Sequence, residues 1–385
     1  MTSGASPAVG EIAARPVSLT RVVRLASIAF FGLLPALTMV VLFASAIQTD
    51  SVAMDFRQFY GAAETILRGE SPYLDSGEPL TEWGGPYPYP PLPALTAAPL
   101  TALSLQAAGL LVMAVLVGVA LAVPAVLGIR DWRCYGMVLL WPPVISAIQT
   151  GNVTLWFALA CAVAWRFRDR LFPPSASIGI TLGAKFFLWP LVVWLAATRR
   201  LSSAVLACVI GSGLLLASWA VIGFAGLVDY PSLLQKLEDT VGADSYTAYI
   251  VGLDIGLPPT MARVIWLATG LSFLAAVVLL ARRGDERTAF IVAVAASLAL
   301  TPIVWLHYFA LLLVVVAVAQ PRLGIVWFIP LGMIITPGSG QPTPFQTSWT
   351  LVIALATIAL AVRTSRAGVR PVGSDPALLA EARAV

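Results

Sequence analysis

FPPSASIGITLGAKFFLWPLVVWLAATRR, residues 172–200, decides how the whole chain is threaded. Apart from Lys185 it carries no charge before Arg199 and Arg200. Read as one long span, it puts that arginine pair on the far side of a membrane and inverts everything after it. Read as a hairpin broken around Gly183–Lys185, it returns the chain, and every later arginine cluster falls on the same side as the earlier ones. Basic residues gather on the cytoplasmic side of membrane proteins, and that rule selects the hairpin.

The rest of the composition agrees with a membrane setting. Of 385 residues, 59% are hydrophobic and only 11% are charged, and the mean hydropathy is +0.89. A soluble domain carries about 25% charged residues. Apolar runs recur from residue 26 to residue 362 and leave no soluble domain between them. Backbone groups in lipid must bond within the segment, and the runs are too long for barrel strands, so the expected fold is an all-α polytopic bundle. The runs predict about twelve transmembrane segments, near 26–48, 105–129, 134–149, 152–166, 172–184, 186–198, 201–224, 261–281, 288–304, 306–320, 323–336 and 345–362. Several fall short of the ~20 residues of a simple crossing and must pair as short hairpins. The whole of 1–385 reads as a single membrane domain.

This threading sorts the charges. Arg57, Arg68, Lys236 and Arg263 fall outside and Lys185 within the membrane; every other Lys and Arg falls inside. Asp50, Asp55, Glu64, Glu70, Asp75, Glu78, Glu82, Asp229, Glu238, Asp239, Asp244 and Asp254 fall outside. Both ends, 1–25 and 363–385, are then cytoplasmic, and the Arg-rich tail is expected to rest near anionic headgroups. The net charge of +4 is therefore the sum of a basic inner rim and an acidic outer face, not a nucleic-acid signal. Arg21 and Arg24 followed by an apolar run ending Ala44-Ser45-Ala46 imitate a signal peptide. The run exceeds the ~7–15 residues of such a segment, so it reads as an uncleaved first span. Cys134, Cys161 and Cys208 lie in apolar segments and read as small core residues. Neither they nor the single histidine suggest a metal site or a disulfide framework. Only two lysines in an Ala/Arg/Val-rich chain suggest a high-GC bacterium, hence a bacterial plasma membrane.

Two outer loops are long, 49–104 and 225–260, and long loops in compact domains tend to carry function. In the first, Phe56, Phe59, Tyr60, Ala63, Ile66 and Leu67 recur at helical spacing and predict a helix over 54–67, stopped by Gly69 and Pro72. Its apolar face is expected to lie on the membrane surface. Tyr87-Pro88-Tyr89-Pro90-Pro91-Leu92 predicts an extended segment leading into a short helix at 93–103.

Four polar features stand out, each with two readings. Asp55 is either a helix N-terminal carboxylate favoured by the macrodipole, or a general base held at a half-dry interface. Lys185 either snorkels to the interface or meets a lipid-linked phosphate; an ionisable residue inside an apolar segment points to the second. His307, after the break at Pro302, is either a satisfied core histidine or faces a cavity, and its neighbours Trp305 and Tyr308 either belong to an interfacial belt or stack on a sugar. Gln149-Thr150-Gly151-Asn152 is a turn that is either ordinary or presents its asparagine to the same cavity.

The ordered set Asp55-Phe56, Phe59-Tyr60, Ala62-Ala63, Gly69-Glu70-Ser71-Pro72-Tyr73, Tyr89-Pro90-Pro91, Gly151-Asn152, Ala184-Lys185 with Pro190, and Pro302 with Trp305 and His307 resembles the family 87 glycosyltransferases. These are GT-C-type membrane enzymes that use polyprenyl-phosphate mannose, among them the actinobacterial phosphatidylinositol-mannoside mannosyltransferases. The resemblance spans roughly 50–310. It implies Asp55 as catalytic base, with Lys185 and His307 at the donor phosphate; beside that, Arg57 is expected to assist at the phosphate, and Tyr60, Tyr89, Asn152, Trp305 and Tyr308 are expected around the substrates. Nothing in the sequence calls for a metal or a cofactor. Where the family often has a second histidine, this chain has Tyr308.

The implied reaction moves a sugar, mannose by resemblance, from a polyprenyl-phosphate donor to a lipid or glycan acceptor at the outer face, with inversion at C1. A polyprenyl-phosphate arabinose or glucose donor is an alternative. So is a transporter or flippase of a lipid-linked sugar, against which stands the lack of two-half symmetry in the transmembrane segments.

Overall fold

The computed structural model describes residues 19–73, 87–337 and 341–367. Arg15, Arg370, Arg383, Asp75, Glu78 and Glu82 lie outside the described residues, as do the first eighteen residues and the tail after 367. The described residues form helices and no strand.

The chain enters through α1 (Leu19–Ile28), which passes by a π-helical turn into α2 (Leu34–Gln48). The first long connection holds α3 (Met54–Leu67) and α4 (Pro91–Ala97). Then follow α5 (Leu105–Val126), α6 (Trp132–Leu140), α7 (Pro142–Thr150), α8 (Thr154–Arg166), α9 (Phe172–Ala184), α10 (Pro190–Ala197) and α11 (Leu201–Val221). The second long connection carries α12 (Tyr230–Val241) and α13 (Ala248–Asp254). α14 (Pro259–Arg282), α15 (Glu286–Ala299), α16 (Leu312–Ala319) and α17 (Pro344–Ala367) complete the bundle.

The apolar runs are all helical, but their lengths differ from twelve ordinary crossings. Among the described residues five helices are long and apolar enough to cross: Thr20–Gln48, Leu105–Val126, Leu201–Val221, Pro259–Arg282 and Pro344–Arg366. α7 and α8, bent by 119° at residues 151–153, add a sixth only if the pair is counted as one span. Proline divides the remainder. Pro142 separates α6 from α7 and Pro190 opens α10, because proline supplies no N–H for a preceding turn. A thirteen-residue helix such as α8 rises only about 20 Å, against a hydrocarbon core of about 30 Å.

The predicted hairpin at 172–198 is present. Ser175 Oγ donates to Ser203 O at 3.0 Å, a Cβ on Gly179 would sit 2.8 Å from Ala207 O, and one on Gly183 would sit 2.9 Å from Leu214 Cβ. Contacts that climb together along α9 and α11 make these helices parallel, so α10 between them runs back. Ser175, Gly179 and Gly183 face Ser203, Ala207 and Gly211 at four-residue spacing, the small-residue seam that lets membrane helices approach closely.

The core lies on α15 and α16, whose residues 288–298 and 312–319 are buried on every side. Helices hydrophobic all round belong at the centre. Trp165, Trp194 and Phe290 cluster there, with ring centroids 4.9–6.2 Å apart. Outer helices do the opposite: Leu33, Val40, Val205, Val209, Val264 and Val352 are exposed, as lipid-facing side chains must be. Cys134 and Cys161 are buried, but Cys208 on α11 is exposed, which corrects its reading as a core residue.

One end of the bundle is laced by ion pairs. Arg200 meets Asp169 at 2.6 Å and Glu286 at 3.1 Å, Arg168 meets Glu286 at 3.4 Å, and Arg366 meets Asp285 at 3.5 Å. These residues gather at a single end, as the charge sort requires. Asp131, in the α5–α6 connection, accepts from the Arg133 guanidinium at 2.8 and 2.9 Å and from Leu323 N at 3.1 Å, pinning two connections together.

Two predictions test this frame. Gly179→Val forces a side chain against the backbone of α11 and should cost about 1–3 kcal/mol, read as a lowered unfolding midpoint in detergent. The Arg133 hydrogen bond lowers the Asp131 carboxyl from 3.8 to about 2. A lowered folded-state value contributes stability above the unfolded value and loses it as pH falls through the folded one. The wild-type midpoint should therefore drop between about pH 4 and 2 relative to Asp131→Asn, with the variant the less stable near neutrality.

Candidate active site

The site starts from a backbone clamp. Ala53 caps α3 with φ 47°, ψ 57°, a left-handed conformation that is costly for a residue with a Cβ, and it is fully buried. Gly151 (φ 69°) lies against it: a Cβ there would stand 2.8 Å from the Cβ atoms of both Ala53 and Phe56. Gly109 of α5 closes the other side, where a Cβ would meet Val52 Cγ1 at 2.7 Å. The turn before α3 is held between two glycines, and Asp55, in the first turn of α3, takes its place from that clamp.

Asn152 follows Gly151 and is almost wholly buried. Its Nδ2 donates to Asp55 Oδ2 at 2.7 Å. His307 brings Nε2 to 3.9 Å from the same oxygen, too far for a direct hydrogen bond. That nitrogen is buried and has no hydrogen-bond partner among the described residues, and the same holds for Trp305 Nε1. A lone oxygen placed between Asp55 and His307 would reach both.

Lys185 sits where α9 ends: its backbone turns extended (φ −162°, ψ 127°) and breaks the helix. Its ammonium donates to the Tyr308 hydroxyl and lies 4.6 Å from the centroid of the Tyr308 ring and 4.8 Å from that of Tyr89. The His307 and Tyr308 rings are 4.8 Å apart. The Tyr89 hydroxyl lies beside Asn152, and burial first, then Tyr308 and Asp55, pushes its pKa well above the ordinary value and keeps it protonated. Asp55, Asn152, Tyr89, Lys185, His307 and Tyr308 thus form one continuous constellation, at the end of the bundle opposite the Arg168–Arg200–Glu286 pairs.

Two expected members point elsewhere. Arg57 pairs with Asp50 Oδ1 at 3.2 Å and with the Val52 carbonyl at 3.3 Å. Tyr60 donates to Leu103 O at 2.8 Å and packs beneath α3. Trp305 stands at the edge, 5.8 Å from His307 between ring centroids.

The apolar face of α3 is not laid on a membrane surface. Phe56, Phe59, Tyr60, Ala62 and Ala63 are buried in protein, because residues 87–97 return over them. Phe59 meets Tyr87 and Tyr89 at 6.1 and 4.8 Å between centroids. Tyr73 stacks on Trp219 and donates to Tyr89 O at 2.8 Å, which fixes the Tyr89 backbone. The second long connection is tied in as well. Tyr246 N donates to Val304 O at 2.7 Å and Val304 N to Ser245 Oγ at 2.8 Å, three residues before His307. At its other end Tyr230 donates to Pro88 O at 2.8 Å. No periodicity or motif announced these ties.

A model of glycosyltransferase family 87 matches residues 87–306, more than half of the chain. The chain belongs to glycosyltransferase family 87 and is a membrane glycosyltransferase. The matched stretch holds Tyr89, Asn152, Lys185 and Trp305; Asp55 precedes it and His307 follows it directly. No curated protein and no solved structure matches the chain.

The clamp yields a prediction. Gly151→Ala strains the turn and pushes it off Ala53, so the variant should lose about 1–3 kcal/mol of stability and most of its activity. Unfolding midpoints and transfer rates measured on the same preparation check both halves.

Proposed function

We propose that this glycosyltransferase moves a sugar, mannose in the first instance, from a polyprenyl-phosphate donor to a lipid or glycan acceptor at the outer face of a bacterial plasma membrane. The observation that carries the reading is one acid and one cation, both half-buried, in a single constellation: Asp55, 3.9 Å from a His307 nitrogen that has no hydrogen-bond partner among the described residues, linked through Tyr308 to Lys185.

The chemistry follows from those groups. Asp55 takes the proton of the acceptor hydroxyl, whose oxygen lies between Asp55 and His307. The new bond forms from that oxygen to C1 as the C1–phosphate bond breaks on the opposite face, so the configuration inverts. The leaving electron pair stays on the polyprenyl phosphate, where the Lys185 ammonium and the Tyr308 hydroxyl oppose its charge. Fixed donors aimed at developing charge in a dry site are the largest catalytic term in most enzymes. In this scheme His307 serves the nucleophile more directly than the phosphate, and Arg57, committed to Asp50, serves neither until it moves. The end-to-end separation of this constellation from the arginine-rich pairs supports an outward-facing site with cytoplasmic ends, by the positive-inside rule.

Asp55→Asn should lower transfer by about 10³-fold, within the ~10²–10⁴-fold typical of a general base. Lys185→Met should lower both donor affinity and turnover. The assay is transfer from polyprenyl-phosphate mannose to a panel of lipid and glycan acceptors by purified protein. Full activity in a folded Asp55→Asn variant would remove Asp55 from the mechanism, and transfer from only another lipid-linked sugar would replace mannose.

A further inference from the structure

Asn152 and Thr154 form a unit that the reaction scheme leaves unexplained. Both side chains are buried, at 1% and 0% exposure, two residues apart at the tip between α7 and α8. A side-chain amide can present either its oxygen or its NH2 to a neighbour. Two donors at Thr154 bear on that choice, and one of them can only donate: the backbone N–H lies 2.9 Å from Asn152 Oδ1. The Thr154 hydroxyl donates to the same oxygen at 2.6 Å. With its oxygen taken by two donors, the amide must turn its NH2 toward Asp55, which it meets at 2.7 Å. A flipped amide would set a carbonyl oxygen against the carboxylate.

We propose that Thr154 is a positioning residue for sugar transfer: its hydroxyl, the second and shorter donor on Asn152 Oδ1, completes the hold begun by its backbone N–H, so that Nδ2 orients the Asp55 carboxylate toward the acceptor hydroxyl. This rests on the function proposed above. It assigns Asn152 to the base rather than to the sugar, since its oxygen and one N–H are already used. Thr154 has no place at the substrates, being fully buried behind Asn152. The other groups facing Asp55 do not duplicate the lock. His307 Nε2 is 3.9 Å away, Tyr89 stands beside the amide, Lys185 is bound to Tyr308, and Arg57 on the same helix is turned to Asp50.

The test compares wild type with Thr154→Val, which keeps the shape and removes the hydroxyl, Thr154→Ala, which removes it without placing a methyl beside the amide, and Thr154→Ser, which keeps it. The first readout needs no substrate. An infrared difference spectrum between wild type and Asp55→Asn isolates the Asp55 carboxylate stretch. That band should move in Thr154→Val and Thr154→Ala and return in Thr154→Ser. The second readout is transfer: the Val and Ala variants should lose about 10- to 100-fold in kcat with donor KM little changed, as expected when a base is misaimed and binding is intact. An unmoved band in folded Val or Ala variants would overturn the lock. So would a wild-type kcat in those variants, or a loss confined to KM. If wild type transfers no sugar from any lipid phosphate, the functional reading fails, and the infrared comparison still decides the lock.

Discussion

The close approach of Ala53 to Gly151 is the constraint on which the site depends. Three separate stretches of chain meet there: the turn before α3, the tip between α7 and α8, and α5 through Gly109. Backbone strain at Ala53 is held in place because the neighbours on both sides lack a Cβ and leave no room for another arrangement. The result is an acid at the start of a helix whose direction is set by packing rather than by solvent. Asn152, the residue after the contact glycine, inherits the same precision, and the hydrogen bond at 2.7 Å joins two segments 97 residues apart in sequence.

Short helices serve the same end. α7, α8, α9 and α10 stop well within the thickness of a bilayer, and their broken ends place Asn152, Thr154 and Lys185 inside protein rather than at a lipid boundary. Irregular backbone at membrane depth is tolerated only where protein or a polar cavity covers it. Here the cover comes from Tyr73, Tyr87 and Tyr89, which roof α3, and from the second long connection, stapled to Val304. The opposite end is held by arginine pairs that are partly exposed, so their role is to fix the relative heights of α8, α11 and α15 more than to add stability.

Much of this was legible in the sequence, for physical reasons that also mark the limits. The hairpin at 172–198 was readable because charge asymmetry across a membrane is a global rule that one misplaced pair, Arg199 and Arg200, would violate. The helix over 54–67 was readable from apolar spacing and Gly69. What covers its apolar face was not, since the answer lies in residues 87–97, some thirty positions later, and an amphipathic face looks the same toward lipid and toward protein. Of the twelve apolar segments, several were readable as too short to cross alone, and five helices among the described residues have crossing length. At the site, Asp55, Lys185 and His307 stood out as rare polar groups beside apolar runs. Arg57 was drawn in by proximity, yet positions two apart on a helix face different ways, and it turns to Asp50. Thr154 gave no signal, because a threonine at a helix start is ordinary until its hydroxyl is seen on a buried amide. The seam of Ser175, Gly179 and Gly183 was in plain view, but only its partner on α11 gives it meaning.

The central claim is that one constellation holds both the nucleophile and the leaving phosphate. A structure of the protein with a non-transferable polyprenyl phosphonate sugar tests it most directly. The account predicts phosphonate oxygens within hydrogen-bonding distance of Lys185 and Tyr308, and the sugar C1 presenting its open face to Asp55. A phosphonate bound elsewhere, or a C1 turned away from Asp55 with Lys185 still bonded only to Tyr308, would contradict it.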